Sequence, residues 1–302
     1  MGGLLLSSRQ MRAAAILGLG CSPKNLKPFQ RDASQIGQNV DWRVGMPASR
    51  EDADVILLFG GDGTVHRHLG QLVRLGLPVL IVPAGSGNDF AGALGLRRVR
   101  DSLAAWERFL SGHGNLRAID LGVIAAKPEA VEQVRYFGSV AGAGLDGEVA
   151  RRANGLPRWL RGRGGYALSL PGALFSFAPQ PMKILQENAG KWTAHYAGPT
   201  MLAAFANTPL YGGGMKIAPQ ADMHDGLLDV CVVKALDPFK LFCLFPTVYS
   251  GRHVKIRDVE YFKSPRVRVE TERPLDIYAD GEYVCRTPVE IGVERGVLRV
   301  MV

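Results

Sequence analysis

Residues Gly60-Gly61-Asp62-Gly63-Thr64 follow the apolar run Val55 to Phe59 and precede Val65, Leu69, Leu72 and Val73, which recur at helical spacing. A strand-to-helix turn of this composition suits a phosphate. Its glycines let backbone N–H groups approach an anion closely, and the start of the helix offers N–H groups with no partner of their own. Asp62 breaks the pattern, because a carboxylate repels phosphate. Either a divalent cation lies between the two, or the loop's own N–H groups hold the aspartate. A second turn, Pro83-Ala84-Gly85-Ser86-Gly87-Asn88-Asp89-Phe90-Ala91, follows another apolar run. Here Ser86 could donate to a phosphate oxygen while Asn88 or Asp89 caps the next helix. Alone this is an ordinary capped turn. Two glycine-rich turns at the ends of adjacent parallel strands, however, form the crevice in which open α/β sheets bind ligands.

Carboxylates cluster at two later turns. Asp222, Asp225 and Asp229 surround Gly226, and oxygen-rich turns of this kind can hold a hard cation, although an Asp-Gly hairpin accounts for the same residues. Asp280-Gly281-Glu282 also reads as a turn between strands, yet a carboxylate at a strand end can serve as a general base toward a hydroxyl. Gly142-Ala143-Gly144-Leu145-Asp146-Gly147 matches GxGxxG, but no following strand with a ribose-binding acid completes a dinucleotide unit. The absence of GxxxxGK[ST] excludes a P-loop ATPase.

The elements that must carry these turns change character along the chain. Apolar runs at Ala13 to Leu19, Val55 to Phe59 and Val79 to Val82 alternate with helical patterns, including one at Ser102 to Leu110, which predicts a parallel sheet with crossover helices. Beyond Asp120 the pattern becomes short runs punctuated by glycine and proline: Tyr136 to Ala141, Thr200 to Ala206, Leu228 to Val233, Val267 to Glu270, Leu275 to Ala279 and Val289 to Val293. The reading is an α/β domain over 1–120 and a β-rich domain over 121–302.

At 302 residues, 47% apolar and 21% charged, the composition is globular, and a formal charge of +8 favours an anionic partner. The four cysteines show no CxxC spacing and no metal-ligand cluster with histidine, so they read as reduced packing residues of a cytoplasmic protein. No signal peptide and no transmembrane helix are predicted. From Val149 to Gln186 there is no Asp or Glu, while Arg151, Arg152, Arg158, Arg161, Arg163 and Lys183 stand among Trp159, Tyr166, Phe175 and Phe177. This is either a solvated basic surface or a face for an anionic membrane. Nucleic acid is disfavoured because no reading motif accompanies the charge.

In order, FGGDGT at 59–64, PAGSGNDFA at 83–91, AGAGLDGEVA at 141–150, YGGGMKIAP at 211–219, DGLLDV at 225–230 and YADGE at 278–282 resemble the diacylglycerol kinase catalytic-domain family. That family includes bacterial lipid kinases and sphingosine and ceramide kinases. NAD kinases share the GGDG turn, but GSGNDFA is similar to the lipid kinases. The resemblance implies a Rossmann-like α/β domain with a parallel sheet, a C-terminal β-sandwich-like domain, and an active site in the cleft between them. It further implies ATP and Mg²⁺ as cofactors and a membrane lipid alcohol as substrate, met by peripheral docking through 149–186. Gly60 to Thr64 and Ser86, with Asn88, would hold ATP phosphates, and Asp62 and Asp89 would join a magnesium and water network. A structural magnesium is implied at Asp225 with the carbonyls of Asp222 and Leu227. Glu282 is the implied proton acceptor, Asp280 and Asp120 belong to its polar network, and Arg163 precedes the family's tyrosine, here Tyr166.

The chain departs from the family after its first strand. Leu19-Gly20-Cys21-Ser22-Pro23-Lys24 replaces an NPxSG turn, leaving Lys24 as a phosphate contact. The interval from Val44 to Val55 is too short for a strand–helix crossover, which predicts a reshaped adenine side. The alternatives to a lipid kinase are an NAD-kinase-like phosphotransferase and a non-catalytic lipid- or nucleotide-binding relative. A homodimer is left open.

Overall fold

The computed structural model describes residues 10–125, 134–155 and 172–302. Four parallel strands open the chain: β1 (Met11–Leu17), β2 (Val40–Val44), β3 (Val55–Gly60) and β4 (Val79–Pro83). They lie in the order β2-β1-β3-β4. β3 and β4 are buried along their whole length, which explains their uninterrupted apolar sequences. Helices α1 (Lys27–Gln35), α2 (Asp62–Leu75), α3 (Asp89–Ala93) and α4 (Val99–Leu110) accompany this sheet. α2 buries Val65, Leu69 and Leu72 of the stripe its spacing predicts, with Leu75 in place of the half-buried Val73, and ends at Gly76, whose φ of 59° makes a left-handed cap. Between β2 and β3 there is only a 3₁₀ turn at Arg50–Asp52, as the short interval requires.

The second half is built from antiparallel strands: β5 (Leu116–Ala125), β6 (Val134–Phe137), β7 (Val140–Gly144), β8 (Gln180–Asn188), β9 (Lys191–Ala206), β10 (Leu228–Lys234), β11 (Val259–Ser264), β12 (Arg266–Thr271), β13 (Asp276–Ala279), β14 (Glu282–Arg286) and β15 (Val289–Met301). Helix α5 (Leu145–Gly155) follows β7, and short helices Pro238–Leu244 and Pro246–Ser250 lie between β10 and β11. The run expected as one strand at Tyr136 to Ala141 is two, broken at Gly138-Ser139, where the backbone N–H groups turn to a side chain described below.

Two long strands join the halves. β5 crosses position 120 and pairs with β15 along its length. The first part of β15 pairs with β12, while Val300 near its end lies beside Val79 of β4. Leu298, Val300 and Met301 therefore pack in the same core as Leu57, Leu80 and Trp106. A separate core, with Phe205, Val230, Val267 and Ile291, fills the antiparallel half. All four cysteines are free. Packing describes the buried Cys231, whose thiol burial pushes up to about 12, but not the exposed Cys243.

Candidate active site

Because β1, β3 and β4 are parallel, their carboxyl ends lie together, and the two glycine-rich turns meet there by backbone contact. A Cβ on Gly85 would stand 2.3 Å from the Gly61 Cα, and one on Gly61 would stand 2.5 Å from the Gly87 carbonyl oxygen. Asp62 N–H donates to the Gly87 carbonyl at 3.0 Å, and Ala84 N–H to that of Gly60 at 3.0 Å. The glycines thus let the turns dovetail. Gly18, at the end of β1, joins them by donating to the Phe59 carbonyl at 2.7 Å, and a Cβ there would meet Thr64 Oγ1 at 2.7 Å.

Asp62 is held by N–H groups, the second of the two arrangements its sequence leaves open. Its carboxylate accepts from Asp89 N–H and Phe90 N–H, each at 3.1 Å. The cap of α3 therefore comes from the first turn and not from Asn88 or Asp89. Asn88 instead braces its own turn, accepting from Gly85 N–H at 3.0 Å and donating to the Gly85 carbonyl at 2.8 Å. Burial and the nearby charge of Asp89 push the Asp62 carboxyl up to about 6, against the two N–H groups that favour its charged form. The Asp89 carboxylate reaches across to the 211–215 loop and accepts from Gly213 N–H at 2.8 Å. Ser86 is exposed at the tip of the second turn.

Opposite stands the β13–β14 hairpin. Asp280 and Gly281 both have positive φ, 50° and 85°, as a two-residue Asp-Gly hairpin turn requires. The Asp280 side chain is 5% exposed. It accepts from Gly138 and Ser139 N–H at 2.8 Å each and from Val140 N–H at 3.3 Å, and lies 3.1 Å from His66 Nδ1 on α2. This carboxylate fixes the hairpin against α2. Glu282, two residues on, is exposed, and its Oε1 lies 3.4 Å from where a Cβ on Gly63 would stand. An exposed carboxylate therefore overlooks the first glycine turn, with a buried one anchoring it. His66 was not singled out from the sequence; its signal was a position one helical turn after Asp62, on the same face of α2.

Asp120 is buried and accepts from Gly226 N–H at 2.7 Å and Gly296 N–H at 2.8 Å, pinning the DGLLD turn to the bend in β15. Its link to Asp280 runs through Asn207, whose Nδ2 donates to the carbonyls of Asp120 and Gly138. The turn at 222–229 is not a hairpin: it leads from a loop into β10, with Gly226 at φ 71°. Of the set implied to hold a metal there, Asp225 supplies the one side chain, and both of its oxygens already have partners. Asp225 Oδ1 accepts from Leu227 N–H at 2.9 Å and Oδ2 pairs with Lys263 Nζ at 2.8 Å, while the Asp222 carbonyl, the oxygen the set would use, accepts from Asp225 N–H at 3.4 Å. Among the described residues no group of three His, Cys, Asp or Glu side chains is arranged to hold a metal.

Lys24 lies exposed in a 3₁₀ turn, Pro23–Leu26, beyond the end of β1. Arg163 lies outside the described residues. GxGxxG at 142–147 serves packing: a Cβ on Gly144 would meet the Met201 carbonyl oxygen at 2.6 Å, and one on Gly147 the Tyr278 ring at 3.0 Å. Beyond α5 lies an apolar cavity lined by Leu145, Leu174, Met201, Val233, Phe245 and Val259, with Tyr211 and Met215 at its wall. The 211–215 loop thus has one edge on Asp89 and the other on the cavity.

Residues 30–124 match the diacylglycerol kinase catalytic domain, and residues 138–302 match the YegS C-terminal NAD kinase beta sandwich-like domain. A diacylglycerol kinase of Mycobacterium tuberculosis is 35% identical over 254 residues, covering 84% of this chain and 78% of that protein. A crystal structure of a diacylglycerol kinase from Bacillus anthracis superposes with a TM-score of 0.65 at 18% identity, over 97% of this chain and 96% of the other. An NAD kinase from Archaeoglobus fulgidus, in complex with ATP, shares the fold at a TM-score of 0.50 and 13% identity, over 96% and 92% of the two chains. The paired domains, the dovetailed glycine turns and the close relatives agree: the chain belongs to the diacylglycerol kinase catalytic-domain family of lipid kinases.

Proposed function

We propose that this protein transfers the γ-phosphoryl group of ATP to the hydroxyl of diacylglycerol or a related lipid alcohol, with Glu282 as general base. The observation that carries the reading is the exposed Glu282 carboxylate beside the Gly60–Thr64 turn. The turn and Ser86 receive the phosphates, and Glu282 takes the hydroxyl proton as that oxygen bonds to the γ-phosphorus. The bond from that phosphorus to the bridging oxygen breaks, and ADP leaves. Positioning and charge neutralisation carry most of such a reaction. Mg²⁺ bound with the nucleotide supplies part of the neutralisation. Asp280 holds Glu282 and α2 in register.

The cavity supports a lipid acceptor. Its wall is almost wholly apolar and includes Leu145, five residues, at most about 17 Å, from Val140 at the Asp280 end of β7. Acyl chains span that distance. Docking on an anionic, cytoplasmic-side membrane belongs to the same proposal. Phe175 is 61% exposed, and its ring centroid lies 6.4 Å from that of Phe242, which with Phe239 is also exposed. Much of the basic 149–186 stretch lies outside the described residues. Within it, Arg152 pairs with Glu148 and Ser176, each at 2.6 Å. No helix among the described residues is long and apolar enough to cross a membrane.

The test is incubation with γ-labelled ATP, Mg²⁺ and separate acceptors: diacylglycerol, ceramide, sphingosine and NAD. Label in a lipid product supports the reading. Label in NAD alone selects the NAD-kinase-like alternative, and label in none, with a working lipid kinase in parallel, supports the non-catalytic one.

A further inference from the structure

The DGLLD turn gathers oxygens as a cation site would, yet a lysine from another strand stands among them. In the β10–β11 ladder Lys263 is directly opposite Asp229, so both side chains lie on one face. Lys263 Nζ donates to Asp225 Oδ2 at 2.8 Å and to the Gln220 carbonyl at 3.1 Å, and lies 3.3 Å from Asp229 Oδ2. Two oxygens thus accept from one ammonium, and a third, the buried Asp229 Oδ2, pairs with it by charge. The first two spacings are those of N–H···O bonds, and all three are well beyond the roughly 2.0–2.1 Å at which oxygens hold Mg²⁺.

The rest of the turn is arranged around this ammonium. The Asp229 side chain is fully buried, and its other oxygen accepts from Tyr261 OH at 2.6 Å. Tyr261 precedes Lys263 by two residues on the same face of β11. Arg295 closes the opposite side, with its guanidinium over Gly226 and Nη2 3.4 Å from the Asp225 carbonyl oxygen. Two carboxylates, Asp225 and Asp229, therefore share the one ammonium of Lys263, while Arg295 reaches the backbone of the turn. A divalent ion entering the ring of oxygens would have to expel Lys263 and leave its charge beside the metal. An isolated buried carboxylate such as Asp229 is costly, which explains why the position is filled by some cation.

We infer that Lys263 is the built-in cation of this turn, holding the Asp225 oxygen that a divalent metal at the turn would need, so that the β10–β11 region is complete without one. The inference is independent of the lipid-kinase reading, and its test uses neither nucleotide nor lipid, so the two fail separately. Mn²⁺ binding is followed by electron paramagnetic resonance, and thermal unfolding is measured in EDTA and in millimolar Mg²⁺, for the wild-type protein and Lys263→Met. The wild type is expected to show no tight Mn²⁺ site and the same Tm in both media. Lys263→Met is expected to gain about one Mn²⁺ site per chain through the freed oxygens, and to unfold several degrees lower in EDTA than in Mg²⁺. A tight Mn²⁺ site in the wild type, or a wild-type Tm that falls in EDTA, overturns the inference even if the variant does not fold. A folded variant that takes no Mn²⁺ also overturns it.

Discussion

At the scale of residues, the proposed chemistry depends on which carboxylates are committed to the backbone and which is exposed. Asp62 and Asp280 spend their oxygens on backbone N–H groups, whereas Glu282 is exposed beside the phosphate turn. Asp62 makes a testable pH signature. Its folded value of about 6 lies above its ordinary 3.8, so the native state binds that proton more tightly than the unfolded chain. The stability linked to it is complete below about pH 4 and is lost as pH rises through about 6. Urea unfolding over that range should show a steeper loss of stability for the wild type than for Asp62→Asn; identical profiles would remove the assigned burial. The sequence showed Asp62, Asp89, Asp280 and Glu282, because each sits at a glycine turn after an apolar run. It did not show that Asp62 caps α3 or that His66 and Asn207 bind the network, since those contacts span up to 214 residues.

At the scale of elements, the crevice is two turns locked by glycine. Gly85→Ala would drive a Cβ to 2.3 Å from the Gly61 Cα and force the turns apart. The variant should lose about 1–3 kcal/mol of stability and nearly all nucleotide binding, as read by chemical unfolding and calorimetric titration. Gly63→Ala is the control, because its Cβ meets only Glu282 Oε1, at 3.4 Å, and stability should change little. Equal stability in the two variants would contradict the dovetail. The buried strands β3 and β4 were legible as apolar runs, and α2 as a periodic stripe. β2 and β14 were not, because they are edge strands without buried residues. The break between β6 and β7 was hidden because Asp280, far along the chain, takes the ladder's N–H groups.

At the scale of the whole molecule, β5 and β15 make the two halves one folding unit. Leu298, from the last strand, is 1% exposed within the core of the first domain and pairs across to Ile119. Leu298→Ala should cost about 2–5 kcal/mol. Because Trp42 and Trp106 sit in that core and Trp192 lies under Arg268 in the other half, tryptophan fluorescence and far-ultraviolet circular dichroism should report one shared transition. Separate transitions would contradict the coupling. The same coupling holds the phosphate turns of one half against the Glu282 hairpin of the other, which is what the proposed chemistry needs. The most direct measurement is transfer of label from γ-labelled ATP to diacylglycerol in vesicles, comparing the wild type with Glu282→Gln. The account predicts a phosphorylated lipid from the wild type and a fall of about 10²–10⁴-fold in the folded variant; an unlabelled lipid with the wild type, or undiminished transfer by Glu282→Gln, would contradict it.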